Sequence, residues 1–166
     1  MMLWLSIALL SFVTLQRLAE LVYARRNTAT LLARGAREYA PEHYPFMVTM
    51  HAAWLIGLWL LAIGRPVDSA WFVLFMLLQG LRLWVLATLG ERWTTRIIIL
   101  PGTALVAKGP YRFLSHPNYA IVVGEIAVLP LAFGMPLYAA IFSVLNGIIL
   151  FVRIRAENAC LKQTAT

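Results

Sequence analysis

The chain alternates long apolar runs with short polar stretches, and the runs have the length of membrane helices. A helix crossing the hydrocarbon core of a bilayer needs about 20 mainly apolar residues. The first such run covers residues 3–23 and ends at Arg25-Arg26-Asn27. A second covers 46–63 and a third 70–89, joined by Gly64-Arg65-Pro66-Val67-Asp68-Ser69, which reads as a tight turn. The apolar block 119–152 is too long for one span and breaks at Gly134-Met135-Pro136. It reads as two short spans in a hairpin, 119–133 and 136–152, with the last helix running beyond the membrane into Arg153-Ile154-Arg155-Ala156-Glu157-Asn158. The pattern predicts an all-α polytopic membrane bundle of about five transmembrane helices with a C-terminal helical hairpin. Residues 1–166 form one domain in this reading.

Two polar stretches separate the runs. Residues 27–45 carry Arg34, Arg37, Glu38, Glu42 and His43 and are interrupted by Gly35 and Pro41. They read as a short interfacial helix and a loop. In 90–118, Ile97-Ile98-Ile99-Leu100 and Thr103-Ala104-Leu105-Val106 read as two extended runs around the Pro101-Gly102 turn. The segment from Lys108 to Tyr119 is bracketed by Pro110 and Pro117, so a loop with at most one helical turn is expected.

Composition agrees with lipid as the main solvent: 61% of the residues are hydrophobic and 13% charged, more apolar surface than a soluble domain of this length hides. The run at the N-terminus lacks a basic leader and a small-residue cleavage site, so it reads as a retained span. The net charge of +7 raises the question of nucleic acid, but the cations form no stripe of the kind such binding needs, and no nucleic-acid partner is expected. Their placement speaks to topology instead. Of the 14 Lys and Arg residues, Arg17 and Arg82 fall in spans, Arg65 alone lies beside the 64–69 turn, and the other 11 fall on the opposite side. The positive-inside rule makes that side the cytoplasm and puts the N-terminus outside. The expected location is a bacterial inner membrane, with the polar segments 90–118 and 153–166 in the cytoplasm.

Polar residues inside spans are the first candidates for chemistry. Arg17 and Glu20 share a helical face and either pair inside the bundle or line a polar pocket. His51 reads as a helix–helix hydrogen bond. Arg82, with Gln79 beside it, faces protein or a water-filled cavity rather than lipid. Arg17, Glu20, His51 and Arg82 are the candidates for holding a substrate head group, and one arginine is expected to stay free for it. The single cysteine, Cys160, excludes an internal disulfide and a cysteine metal cluster. The three histidines have no metal-ligand spacing, so no metal site is assigned.

The second group of candidates lies at the two ends of the C-terminal hairpin, which returns the chain to the face it left and makes those ends neighbours. One end is the Lys108–Tyr119 loop with Tyr111, His116 and Tyr119. The other carries Arg153, Arg155 and Glu157. Arginine suits a carboxylate, and Glu157 suits an ammonium or ribose hydroxyls.

These residues carry a resemblance. Gly109-Pro110-Tyr111-Arg112-Phe113-Leu114-Ser115-His116-Pro117-Asn118-Tyr119 resembles the Gly-Pro-Tyr-x-x-x-Arg-His-Pro-x-Tyr signature of the isoprenylcysteine carboxyl methyltransferase family. Arg153-Ile154-Arg155-Ala156-Glu157-Asn158-Ala159-Cys160-Leu161 is similar to that family's Arg-x-x-x-Glu-Glu-x-x-Leu ending. The N-terminal half, with Gln16-Arg17-Leu18-Ala19-Glu20 and Ala24-Arg25-Arg26-Asn27, looks more like a short bacterial branch associated with type III polyketide synthases, which O-methylates alkylpyrones or alkylresorcinols. The resemblance implies an S-adenosylmethionine pocket from Lys108, Gly109, Tyr111, His116, Pro117, Tyr119 and Glu157, with Arg153 and Glu157 as the catalytic pair. It implies a lipid-like substrate, with a functional link to a polyketide synthase. Ser115 and Asn158 depart from the pattern, each removing a charge. Methyl transfer from a sulfonium is an in-line displacement that needs alignment and a dry site; a carboxylate or an acidic enol is already ionised near neutral pH, so no obligatory general base is expected. The alternatives are an isoprenylcysteine-type carboxyl methyltransferase, a sterol-reductase-like enzyme using a nicotinamide, and a non-enzymatic membrane assembly protein.

Overall fold

The computed structural model describes residues 2–104 and 106–164, with side chains through residue 160. Five helices make the bundle: α1 (Met2–Ala33), α2 (Tyr44–Leu61), α3 (Ser69–Leu89), α4 (Pro117–Ala132) and α5 (Pro136–Thr164). Four have the length and apolarity to cross a membrane; α4 is a shorter apolar helix. Its 16 residues rise about 24 Å, short of the roughly 30 Å hydrocarbon core. The chain is an all-α polytopic integral membrane protein.

The distribution of polarity supports lipid as the solvent. Leu15, Phe46, Leu60, Leu137 and Val144 face outward, while Glu20, Asn27, Gln79, Arg82, Glu125, Asn146 and Arg153 are buried. A bilayer imposes this arrangement because polar groups must find partners inside the bundle.

Local chemistry sets the helix ends. Asp68 caps α3 by accepting from the Ala70 and Trp71 amides at 2.9 and 3.1 Å. Pro117 and Pro136 open α4 and α5, where a missing N–H costs nothing. Between them Gly134 takes φ +65°. Beside these turns lies an apolar core containing Leu10, Val13, Trp54, Leu58, Phe75, Leu129 and Phe133. Hydrogen bonds pin it: Trp59 Nε1 donates to Thr14 Oγ1 at 3.0 Å and Tyr138 Oη to the Trp54 carbonyl at 2.7 Å.

Three local expectations are corrected. α1 does not end near residue 27 but runs to Ala33, because the Asn27 amide turns inward and donates to the Gly90 and Trp93 carbonyls at 3.1 and 2.9 Å. The stretch after it holds no separate interfacial helix. It forms β1 (Arg37–Tyr39), which pairs antiparallel with β2 (Ile97–Ile99), followed by a 3-10 turn at Pro41–His43. Thr103, Ala104 and Val106 lie in no strand, and Leu105 lies outside the described residues. α5 runs 29 residues without a break, from the hairpin turn into the polar end.

Candidate functional site

At the hairpin's open end, α4 and α5 bring Tyr119, Arg153 and Glu157 together. Arg153 Nε donates to Tyr119 Oη at 2.8 Å, and that hydroxyl donates to Glu157 Oε2 at 2.5 Å. Arg153 and Glu157 are four residues apart on α5, yet they meet through the tyrosine rather than as a direct pair. His116 stacks on the Tyr119 ring, with centroids 5.1 Å apart and planes 12° apart, and its Nδ1 lies 3.9 Å from Glu157 Oε2. The Arg153 guanidinium also stands 5.5 Å from the Tyr119 ring centre. Arg153 is buried, whereas Glu157 and His116 are about a quarter exposed at the side chain, 28% and 23%. The carboxylate and imidazole therefore open outward from a buried guanidinium.

The loop before α4 supplies the rest. Gly109–Arg112 is a 3-10 turn starting at Gly109 with φ +58°. A Cβ at Gly109 would stand 2.5 Å from Thr88 Oγ1, so glycine is needed both for the left-handed backbone and for the close approach to α3. Pro110 is buried. Tyr111 packs against Ala24, Val85, Trp93 and Ile121. Burial, with the nearby Glu157 charge adding to it, pushes its phenol up to about 12, so the hydroxyl stays protonated near neutral pH. Lys108 stands apart from Arg153 and Glu157. With Thr88, Leu89, Arg92, Ala104, Val106 and Ala107 it lines a cleft of about 430 Å³. A smaller apolar groove of about 240 Å³ lies across the same loop, between α3 and α4, and includes Leu81, Trp84, Phe113, Leu114 and Pro117.

The two departures from the resemblance, Ser115 and Asn158, are exposed. The charges they lack would have been at the surface, and the buried Arg153–Tyr119–Glu157 chain does not depend on them. Arg155 is also exposed, against the Phe151 ring, and takes no part in the chain.

A second polar cluster lies deeper. Arg17 bonds Glu20 at 3.0 Å and Glu125 at 2.7 Å. Arg82 reaches Glu20 at 3.1 Å and holds Glu125 through both Nε, at 2.8 Å, and a close Nη2 contact. Gln16 donates to Glu20 at 3.1 Å and Gln79 to Glu125 at 2.7 Å. Arg17 and Glu20 do pair inside the bundle, but neither arginine is free for an anionic head. Glu125, which the sequence reading passed over, neutralises the second one. Its signal was a lone carboxylate in the apolar run of α4.

His51 is not a contact between helices. Its Nδ1 bonds the Met47 carbonyl of its own helix at 2.8 Å, while its ring lies within electrostatic reach of Arg17, Arg82 and Glu125. Met47 itself touches the rim, since its Sδ accepts from Arg153 Nη1 at 2.9 Å. No motif marks Met47 in the sequence.

The C-terminal part of the sequence has a match among known proteins: the model of the isoprenylcysteine carboxyl methyltransferase (ICMT) family covers residues 71–163. The chain belongs to this family. The matched region contains the Tyr111–Tyr119 loop, the hairpin and the Arg153–Glu157 helix end, and begins after α1 and α2. A relative spans those as well: the uncharacterized protein YpbQ of Bacillus subtilis (strain 168) is 38% identical over 167 residues, 98% of each chain. No solved structure matches the chain. Family membership identifies a membrane methyltransferase fold and makes S-adenosylmethionine the cofactor class to test against the site.

Proposed function

We propose that the chain is an S-adenosylmethionine-dependent O-methyltransferase acting on a lipophilic substrate with an acidic hydroxyl or carboxyl head. The observation that carries this is the Arg153–Tyr119–Glu157 chain with His116 stacked against it, on the two segments that the family match joins. The donor set fits the cofactor. Glu157 offers a partly open carboxylate for its ammonium or ribose hydroxyls, and the Tyr119 and His116 rings offer faces to a sulfonium. The Asn118 side-chain oxygen, buried without a partner, is an acceptor beside them.

S-adenosylmethionine supplies an activated methyl group on a sulfonium. The chain's residues bind and orient. Arg153 fixes the Tyr119 hydroxyl so that its proton points at Glu157, which sets the carboxylate's direction. Tyr111 stays neutral, close enough to feel that carboxylate's charge. The buried bundle keeps water from the reacting atoms. The apolar groove containing Leu81, Trp84 and Phe113 gives an alkyl tail a path from the bilayer to the same loop.

Among such substrates we propose polyketide alkylpyrones or alkylresorcinols, with a polyketide synthase as the supplier. What supports this is the resemblance of the N-terminal half. The alternative is a prenylcysteine-type carboxylate. The cofactor reading is tested by Glu157→Gln and His116→Ala, each assayed for S-adenosylmethionine affinity by calorimetry with helical content checked by circular dichroism. A hydrogen bond to a charged group contributes about 1.5–3 kcal/mol, so affinity drops by roughly tenfold or more. Unchanged affinity in both variants refutes the assignment.

A further inference from the structure

The deep polar cluster has two chemical properties that together define a ligand. First, it is closed to an anion. Arg17 and Arg82 are balanced by Glu20 and Glu125, so a carboxylate entering this cluster finds no spare cation in it and would meet two carboxylates already there.

Second, it is open to a hydroxyl. The His51 Nδ1 partner is a carbonyl oxygen, which only accepts, so Nδ1 carries the hydrogen and neutral His51 presents an unprotonated Nε2. Nothing among the described residues bonds that nitrogen. A base with its far nitrogen fixed by a backbone carbonyl is oriented as general bases are. An independent observation points to the same space. Asn146 on α5 is 1% exposed, and neither its Nδ2 nor its Oδ1 has a partner. An unpaired buried amide in a membrane interior costs several kcal/mol, so this one is built to meet something. His51 is one turn below Met47, and Asn146 two turns below Arg153. Because Met47 and Arg153 touch, the two lie about 6 and 10 Å below one contact, at neighbouring heights.

We propose that His51 is the general base of a methyl transfer to a phenol that is not ionised in solution, with Asn146 hydrogen-bonding the same head group. This rests on the methyltransferase reading and narrows its substrate from hydroxyl or carboxyl to hydroxyl. His51 Nε2 takes the hydroxyl proton. The substrate oxygen forms the new bond to the methyl carbon, and the carbon–sulfur electron pair returns to the sulfonium sulfur, leaving a methyl ether and a neutral thioether. The charged groups facing the imidazole are Arg17 from α1, Arg82 from α3 and Glu125 from α4, with Arg153 of α5 beyond Met47.

The test uses the full-length protein in nanodiscs and two probes with the same tail: 5-pentadecylresorcinol, and a pentadecylphenol acidified by a ring nitro group so that it is ionised at the assay pH. The variant is His51→Asn, whose amide can keep the bond to the Met47 carbonyl. Loss of a general base lowers turnover of the resorcinol by about 10²–10⁴-fold and that of the nitrophenol far less, with S-adenosylmethionine affinity unchanged. Separately, Asn146→Leu weakens calorimetric binding of 5-pentadecylresorcinol to cofactor-free protein by about tenfold. Equal losses on both probes, unchanged turnover, or unchanged resorcinol binding in Asn146→Leu overturn the proposal. So does a wild-type protein that binds the cofactor and methylates neither probe. Wild-type protein that does not bind S-adenosylmethionine overturns the methyltransferase reading instead.

Discussion

Replacing Glu125 by glutamine keeps the shape of the side chain and removes one of the two negative charges that balance Arg17 and Arg82. Glu125 is 1% exposed and accepts from Arg17 at 2.7 Å, Arg82 Nε at 2.8 Å and Gln79 at 2.7 Å. The wild-type group of four is neutral; the variant carries one uncompensated positive charge inside a membrane bundle. Removing one partner of a buried pair costs about 3–5 kcal/mol, which would be a large share of the stability of a small domain, about 5–15 kcal/mol. If the loss comes from charge rather than from packing, a second change that restores neutrality repairs it. Arg17→Gln in the Glu125→Gln background leaves Arg82 with Glu20, and the double variant should recover about 2 kcal/mol or more over the single one, a coupling well above the scatter for independent sites. The assay is an SDS titration in mixed micelles followed by far-ultraviolet circular dichroism. A Glu125→Gln protein within about 1 kcal/mol of wild type, or a double variant less stable than the single one, refutes the charge-balance argument.

Two further outcomes are expected. Reporter fusions at residue 66 and at the C-terminus should report opposite sides of the membrane, the latter cytoplasmic, because the Lys and Arg residues flanking the spans divide 11 to one; the same side for both rejects this topology. In a spectrophotometric titration the Tyr111→Phe difference should show no ionising phenol near pH 10 and one near about 12. The raised value means that the fold favours the protonated form, so this contribution to stability is intact below about pH 10 and is lost as pH climbs through the folded value. A Tyr111 titration at the ordinary position contradicts its burial against Ala24, Val85, Trp93 and Ile121.

The bundle was legible because its signal is summed over whole spans: runs of apolar residues and a break at Gly134-Met135-Pro136 fix where helices lie, whatever they touch. The rim site was legible because its residues sit in two short motifs. Depth was harder to read. Asn27 looked like the end of a span, since a polar residue after two arginines ordinarily meets water, yet its amide is spent on the Gly90 and Trp93 carbonyls. Glu125 was overlooked for the opposite reason. It stands alone in an apolar run, and its partners Arg17 and Arg82 come from helices 108 and 43 residues away. Ile97–Ile99 read correctly as extended, but its partner β1 lies beyond two spans rather than across the adjacent Pro-Gly turn. Pairings of that range are set by helix packing, which no local window contains.

That division of labour follows the chain. The family match begins at residue 71 and takes in the loop, the hairpin and the Arg153–Glu157 helix end, the parts proposed to hold the cofactor. α1 and α2 lie before it and supply Arg17, Glu20, Met47 and His51. Through Met47 and His51, α2 connects the rim to the deep cluster, touching Arg153 at one level and facing the Arg82–Glu125 pair one turn below. A cofactor is common to a family, while a head group distinguishes its branches. On that reasoning a residue that selects the substrate is expected outside the region that the family model covers. His51 lies on α2, outside the matched region, and the carboxylate Glu125 projects from matched α4 to bond Arg17 of α1, one of several contacts that join the two halves.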